Sequence, residues 1–187
     1  MDAGPAVDAA VEAAADAGCS GGPERLRTVF ITKESFPAKF GAPGGGLEGA
    51  DAKCTAAAAA SPLDTVRGRK YRALLSDTSS ALIARMPEGT QIYKRPDCVE
   101  LQRGEAKVLV GPLLARANIT EDGTPASSDA FWSGSQADGV AINYNCYDWT
   151  VSESVGAIGS ASETDGGWLS TGVRDCSVPA HLVCVEL

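Results

Sequence analysis

Six cysteines, at positions 19, 54, 98, 146, 176 and 184, are the residues of this 187-residue chain most suited to chemistry. No Cys-x-x-Cys pair and no Cys/His spacing accompanies them, so disulfide formation is expected rather than zinc ligation. A short chain so rich in cysteine suits an oxidising compartment, outside the cytosol. Cys54, Cys146, Cys176 and Cys184 allow three pairings, and their spacing does not choose among them.

Other reactive types are sparse. The single histidine, His181, sits in the apolar run His181-Leu182-Val183-Cys184-Val185, where a structural role is expected. Any Ser-His-Asp or Cys-His catalysis would have to use it. Paired carboxylates could serve a glycosidase, but nothing in the spacing sets the required separation. Asp138, Asp148, Glu153, Glu163 and Asp165 could converge on a hard cation, which asks only for carboxylate and carbonyl oxygens. The expectation for them is solvated loop acids. Trp132, Trp149 and Trp168 carry indole faces that could stack on sugars. Trp168, flanked by Gly166-Gly167 and Ser170, is the one expected to be exposed. The reading is therefore non-catalytic, without cofactor or metal.

Charge narrows the partners. Lys and Arg number 16 against 24 Asp and Glu, a net charge of −8. Nucleic acid and sulfated polyanions need clustered cations that release counterions. The densest basic run, Arg67-Gly68-Arg69-Lys70-Tyr71-Arg72, reads as a solvated loop and strand edge.

The elements that must position these residues are mixed. Residues 28–32 are β-branched and aromatic, which favours a strand, and Gly41 to Gly46 reads as loop. Residues 47–60 are Ala-rich, carry Cys54 and stop at Ser61-Pro62, which predicts a helix. Strands are expected at 71–75, 91–93, 107–110, 130–133 and 181–187. Asp77 or Thr78 should cap a short second helix whose apolar side is Ala81, Leu82 and Met86. Between Ser133 and Leu182 the chain is rich in Gly, Ser, Asp and Asn and reads as a long loop, a length that signals either function or strands the sequence does not reveal.

Two groups of motifs carry a family resemblance. The first is Phe131-Trp132-Ser133-Gly134-Ser135, Asp138-Gly139, then Asn145-Cys146-Tyr147-Asp148-Trp149, with Cys176 and Cys184 beyond. The second is Val29-Phe30-Ile31-Thr32, Gly49-Ala50-Asp51-Ala52-Lys53-Cys54 and Tyr71-Arg72-Ala73-Leu74-Leu75-Ser76. In this order they resemble endostatin, a collagen-derived domain of C-type-lectin-like fold, over roughly residues 28–76 and 131–187. They also resemble a family of bacterial cell-surface lipoproteins of unknown function that share this fold. The resemblance implies an α+β, C-type-lectin-like domain over residues 25–187 in which Cys54 pairs with Cys184 and Cys146 with Cys176. Cys19 and Cys98 then remain for a third bridge. Trp132 and Trp149, each within a fold-defining motif, are expected in the core. In such folds the long-loop region meets ligands, which puts forward Asp138, Tyr144, Tyr147 and Trp168 as contact residues. The family's zinc site does not transfer, because its histidines have no counterpart here. Neither does lectin calcium binding: Arg95-Pro96-Asp97 and Tyr147-Asp148-Trp149 do not match the lectin motifs. Asn118-Ile119-Thr120 is a glycosylation sequon, expected to be idle if the source is bacterial.

Residues 1–24 hold five of the acids, no Lys or Arg and mostly Ala and Gly, leaving 19 acids against 16 bases in the remainder. Such composition predicts a disordered acidic tether. The chain shows no apolar signal region, so a signal segment, and a lipid anchor if there is one, is expected upstream of it. The function implied is an extracytoplasmic binding or adhesion module anchored at, or secreted from, a bacterial cell surface, its partner a glycan or a cell-surface protein. A structural or assembly component that binds only a protein is the alternative, and a cryptic hydrolase a more distant one.

Overall fold

The structure, a computed structural model, describes residues 25–41, 45–104 and 109–187. The expectations for the tether and for Cys19 lie outside the described residues. Among these, the elements run β1 (Arg25–Ile31), α1 (Gly46–Ala60), β2 (Tyr71–Ala73), α2 (Leu82–Arg85), β3 (Gln91–Lys94), β4 (Glu100–Gly104), β5 (Ala130–Trp132), α3 (Cys146–Trp149), β6 (Val155–Ser160), β7 (Gly172–Asp175) and β8 (Val183–Glu186), with a 3-10 turn at Gly166–Trp168. The class is mixed α+β.

The larger sheet has the order β2-β8-β1-β3-β4. β1 pairs in parallel with β3 through its first half, Arg25↔Gln91 to Thr28↔Lys94, and antiparallel with β8 through its second, Val29↔Val185 to Ile31↔Val183. Side chains alternate across the sheet, and both faces are covered. Val29, Ile31, Leu74, Val183 and Val185 enter one core cluster with Phe131 and Trp168. Phe30, Ala73, Leu75, Leu182 and Cys184 enter the other with Phe40, Trp132 and Trp149. Burial on both faces is why these strands read as unbroken apolar runs rather than as polar alternation.

Helix α1 lies against the second cluster on a narrow stripe, with Ala50, Cys54 and Ala58 buried at four-residue intervals. Small residues let it approach closely. A Cβ on Gly49 would stand 2.2 Å from the Phe40 carbonyl oxygen. Ser61 ends the helix in extended geometry, φ −61° and ψ 136°, as a residue preceding proline prefers. The Asp51 carboxylate accepts from the Ala73 N–H at 2.9 Å and from the Arg85 guanidinium at 2.6 Å, which fastens α1 to the outer strand β2.

Two cysteine pairs close the fold: Cys54–Cys184, with Cα atoms 5.5 Å apart, and Cys146–Cys176, at 5.9 Å. This is the nested pairing that the resemblance implies. Cys98 is disulfide-bonded as well.

Several expectations need correction. Residues 133–182 are not one long loop: β6 and β7 form an antiparallel three-stranded sheet with β5. β6 was hidden by its glycines, and both are sterically required. A Cβ on Gly159 would lie 2.1 Å from the Trp168 carbonyl oxygen, and one on Gly156 would lie 2.7 Å from the Cys146 sulfur. Leu109 and Val110 form a bend rather than a strand, with Leu109 at φ 74°, while residues 105–108 lie outside the described residues. β4 was missed, its Glu100, Gln102 and Arg103 masking the buried Leu101. Asp77 does not cap α2. It accepts from the Ser79 and Ser80 N–H groups at 2.8 and 2.7 Å, and Leu82 N–H donates instead to the Ser76 hydroxyl at 2.7 Å.

Candidate ligand-binding surface

The segment Asn145-Cys146-Tyr147-Asp148-Trp149 is held in a conformation that its residue types disfavour. Cys146, Tyr147, Asp148 and Trp149 have φ of 52°, 49°, 54° and 64°, all in the left-handed region. The chain bonds as one helical turn, with Trp149 N–H donating to the Asn145 carbonyl at 2.7 Å and Thr150 N–H to the Cys146 carbonyl at 3.2 Å. Four consecutive non-glycine residues thus form a left-handed α3. Each L-residue there costs roughly 1–2 kcal/mol, so the turn stores on the order of 4–8 kcal/mol that its surroundings must offset.

Nearly every residue of the turn is fixed. Cys146 is bonded to Cys176. Trp149 is fully buried, with ring centroids 5.9 Å from Phe40 and 5.8 Å from Trp132, and its indole N–H donates to the Ser76 carbonyl at 2.8 Å. The Asp148 carboxylate accepts from Thr78 N–H at 2.8 Å, the Thr78 hydroxyl at 2.7 Å and the Asn145 side-chain amide at 2.8 Å. Gly46, at the start of α1, comes so near that a Cβ would stand 2.9 Å from the Asp148 carbonyl oxygen.

The exception is Tyr147, whose side chain projects outward at 71% exposure. Tyr144 is 52% exposed, and its carbonyl is held by the Ala157 N–H at 2.7 Å, next to the Asn145↔Gly156 bridge. The two phenols therefore stand on a scaffold braced by β6, α1, the 76–78 segment and a disulfide.

The other expected contact residues fare differently. Asp138 is exposed in a separate loop, where its carboxylate accepts from Val140 N–H at 3.0 Å and Gly139 packs against Ile83 and Val110. Trp168 is not a platform. It is fully buried, its ring 4.9 Å from that of Phe131 and its indole N–H donating to the Leu109 carbonyl at 3.0 Å. Gly166 and Gly167 do not mark exposure: the 3-10 turn Gly166–Trp168, pinned by Asp165 accepting from Gly167 N–H at 2.8 Å, folds the indole inward. Trp132 and Trp149 are core as expected. His181 is 1% exposed with Nδ1 3.3 Å from the Glu34 carbonyl oxygen.

The five loop acids are not gathered at one point. Asp148 is committed to Thr78 and Asn145, and Asp165 to its own turn. Among the described residues no group of three or more His, Cys, Asp or Glu side chains could hold a metal ion. No described helix is long and apolar enough to cross a membrane. The left-handed turn itself was not foreseen. Asn145 and Asp148 tolerate such geometry, but Cys146, Tyr147 and Trp149 give no sign of it.

No protein-family model matches the chain, and no curated protein matches it significantly.

Proposed function

We propose that this is an extracytoplasmic, non-catalytic binding module of C-type-lectin-like type that meets a cell-surface glycan or protein through Tyr144 and Tyr147. One observation carries the reading: a strained, cross-braced turn whose one outward side chain is a tyrosine. Backbone held in sparsely populated geometry persists only where the surroundings impose it, and such strain concentrates at functional sites. A tyrosine on a rigid support brings a large amphipathic contact area at little entropic cost. His181, which any Ser-His-Asp or Cys-His catalysis would have to use, is buried in the core. The paired cysteines suit the oxidising side of a membrane.

The test is a binding screen with intact protein on a glycan array and on cell-surface extracts of the source, run beside Tyr144→Ala, Tyr147→Ala and Asp138→Ala. Loss of capture with either tyrosine variant, and retention with Asp138→Ala, is the expected outcome. Capture unchanged by both tyrosine substitutions would overturn the assignment. Capture restricted to one protein, with no glycan bound, would select the assembly role.

A further inference from the structure

The two sheets have four outer edges, and three of them are covered. At β2 the Asp51 carboxylate accepts from the Ala73 N–H, and at β4 the Leu114 N–H donates to the Leu101 carbonyl. At β5 the Trp132 N–H donates to the His181 carbonyl and the His181 N–H to the Ala130 carbonyl. The fourth edge, β7, has no neighbour beyond β6 among the described residues. Cys176 N–H donates to the Ser154 carbonyl at 2.8 Å, and the register runs on through Gly156↔Arg174 and Ala157↔Val173. Residues of an antiparallel pair bond across it alternately, so Arg174 turns its backbone groups to β6 while Val173 turns its N–H and C=O to the open side. The Asp175 N–H points outward as well, but its carbonyl is taken by the Val178 N–H at 3.0 Å.

Charged side chains commonly guard such an edge, and here they are drawn away from it. The Arg174 guanidinium donates to the Pro179 carbonyl at 2.7 Å, and the Asp175 carboxylate accepts from the Ser177 N–H and hydroxyl at 2.8 and 2.6 Å. What the edge shows is Val173, 51% exposed, with the exposed Val155 on the same face of the sheet.

This edge is complementary to itself. With two copies of β7 set antiparallel about Val173, each Val173 gives its N–H to the other's carbonyl and receives the reverse bond. Asp175 then stands opposite Thr171, whose own N–H is already given to the Ile158 carbonyl at 2.9 Å. The occupied Asp175 carbonyl and the occupied Thr171 N–H face one another, so the pairing demands nothing that the edge has already spent. Centring the axis on Arg174 instead would set the Val173 N–H against the occupied Asp175 carbonyl and Arg174 against its own copy. On the exposed face the two Val173 side chains meet, and the apolar row continues to Val155 of each copy.

We propose that this chain forms a two-fold dimer through β7, which joins the two smaller sheets into one of six strands. The axis stands perpendicular to the sheet, so both copies turn the same face to the same side. Ala157 has Val173 opposite it in β7, and on its other flank its N–H holds the Tyr144 carbonyl beside the Asn145↔Gly156 bridge. The dimer therefore presents Tyr144 twice on one face, at five inter-strand spacings or about 24 Å. The paired use of that tyrosine rests on the function proposed above; the dimer does not.

The experiment is sedimentation of the intact, oxidised protein without ligand, in a concentration series reaching about 1 mM, because a strand-sized contact lies far below the area of a tight interface. A reversible monomer–dimer equilibrium is expected. Amide exchange at Val173 and Asp175 should slow as the dimer fills, and exchange at Arg174, whose N–H faces β6, should not. Val173→Lys sets like charges across the axis and should raise the dimer dissociation constant at least about five-fold with the thermal midpoint unchanged. Val173→Cys should cross-link to itself on mild oxidation, since Cα atoms of a hydrogen-bonded antiparallel pair lie about 5.5 Å apart, within disulfide reach. Val178→Cys, at a comparably exposed position in the turn beyond β7, should not. A monomer throughout the series, a dimer untouched by Val173→Lys, exchange at Val173 and Asp175 that ignores concentration, or Val178→Cys cross-linking as readily as Val173→Cys would overturn the proposal.

Discussion

At Tyr147 backbone and side chain make opposite demands. Its φ of 49° and ψ of 64° suit glycine, while its 71% exposed ring contributes little to the core. Tyr147→Gly should therefore raise stability by about 0.5–1 kcal/mol, the relief of left-handed strain less glycine's greater entropy loss, while binding is lost. Chemical denaturation and the array screen on the same variant check both halves, and a fall in stability would show that the phenol packs. Tyr93→Phe deletes a buried hydroxyl without a partner, so it should be neutral or slightly stabilising, by up to about 1 kcal/mol. At this scale the cysteine chemistry was legible from residue type, and the core placement of Trp132 and Trp149 from the motifs that carry the family resemblance. Trp168 was not: flanking glycines look alike whether they expose a ring or let the chain turn it inward.

Helix α1 inverts the ordinary rule for glycine. In most helices Gly→Ala gains about 0.5–1 kcal/mol, but at Gly49 the new methyl would meet the Phe40 carbonyl at 2.2 Å. Gly49→Ala should cost about 1–3 kcal/mol as an overpacking substitution, measured as a shift in denaturation midpoint at unchanged slope. The turn at 120–124 carries a pH signature. Asp122 accepts from Lys33 at 2.6 Å and from the Thr120 and Thr124 hydroxyls at 2.5 and 2.6 Å, and these bonds hold its carboxyl well below the usual range. A depressed folded-state value means stabilisation that is complete above the ordinary carboxylate value of 3.8 and fades as pH falls through the folded one. Melting curves between about pH 5 and pH 2 should fall more steeply for the native protein than for Asp122→Asn. Parallel curves would show that the turn is not held by charge. Elements with strong local signals, such as the Ala-rich helix ended by Ser61-Pro62 and the apolar strands β1 and β8, were read correctly. β4, β6 and β7 were not, since their polar or glycine-rich sequences become strands only through the neighbours they pair with, β3 for β4 and β5 for β6.

Over the whole molecule the two nested bridges do unequal work. Cys54–Cys184 spans 130 positions and Cys146–Cys176 spans 30. Replacing Cys54 and Cys184 together by Ala should cost roughly 2–5 kcal/mol by freeing the unfolded chain, measured by denaturant titration. A loss well under about 1 kcal/mol would indicate that the core alone closes the fold. The larger sheet adds a matter of timing. β8 lies between β1 and β2, so Phe30 and Ala73 both align with Cys184. Until Val183–Glu186 has been synthesised, neither β2 nor the second half of β1 has its neighbour in this sheet. The β1–β3–β4 part of the sheet can pair before then, but its centre closes only once residues 183–186 are available, so the sheet and the Cys54–Cys184 bridge are completed together, as late and coupled events.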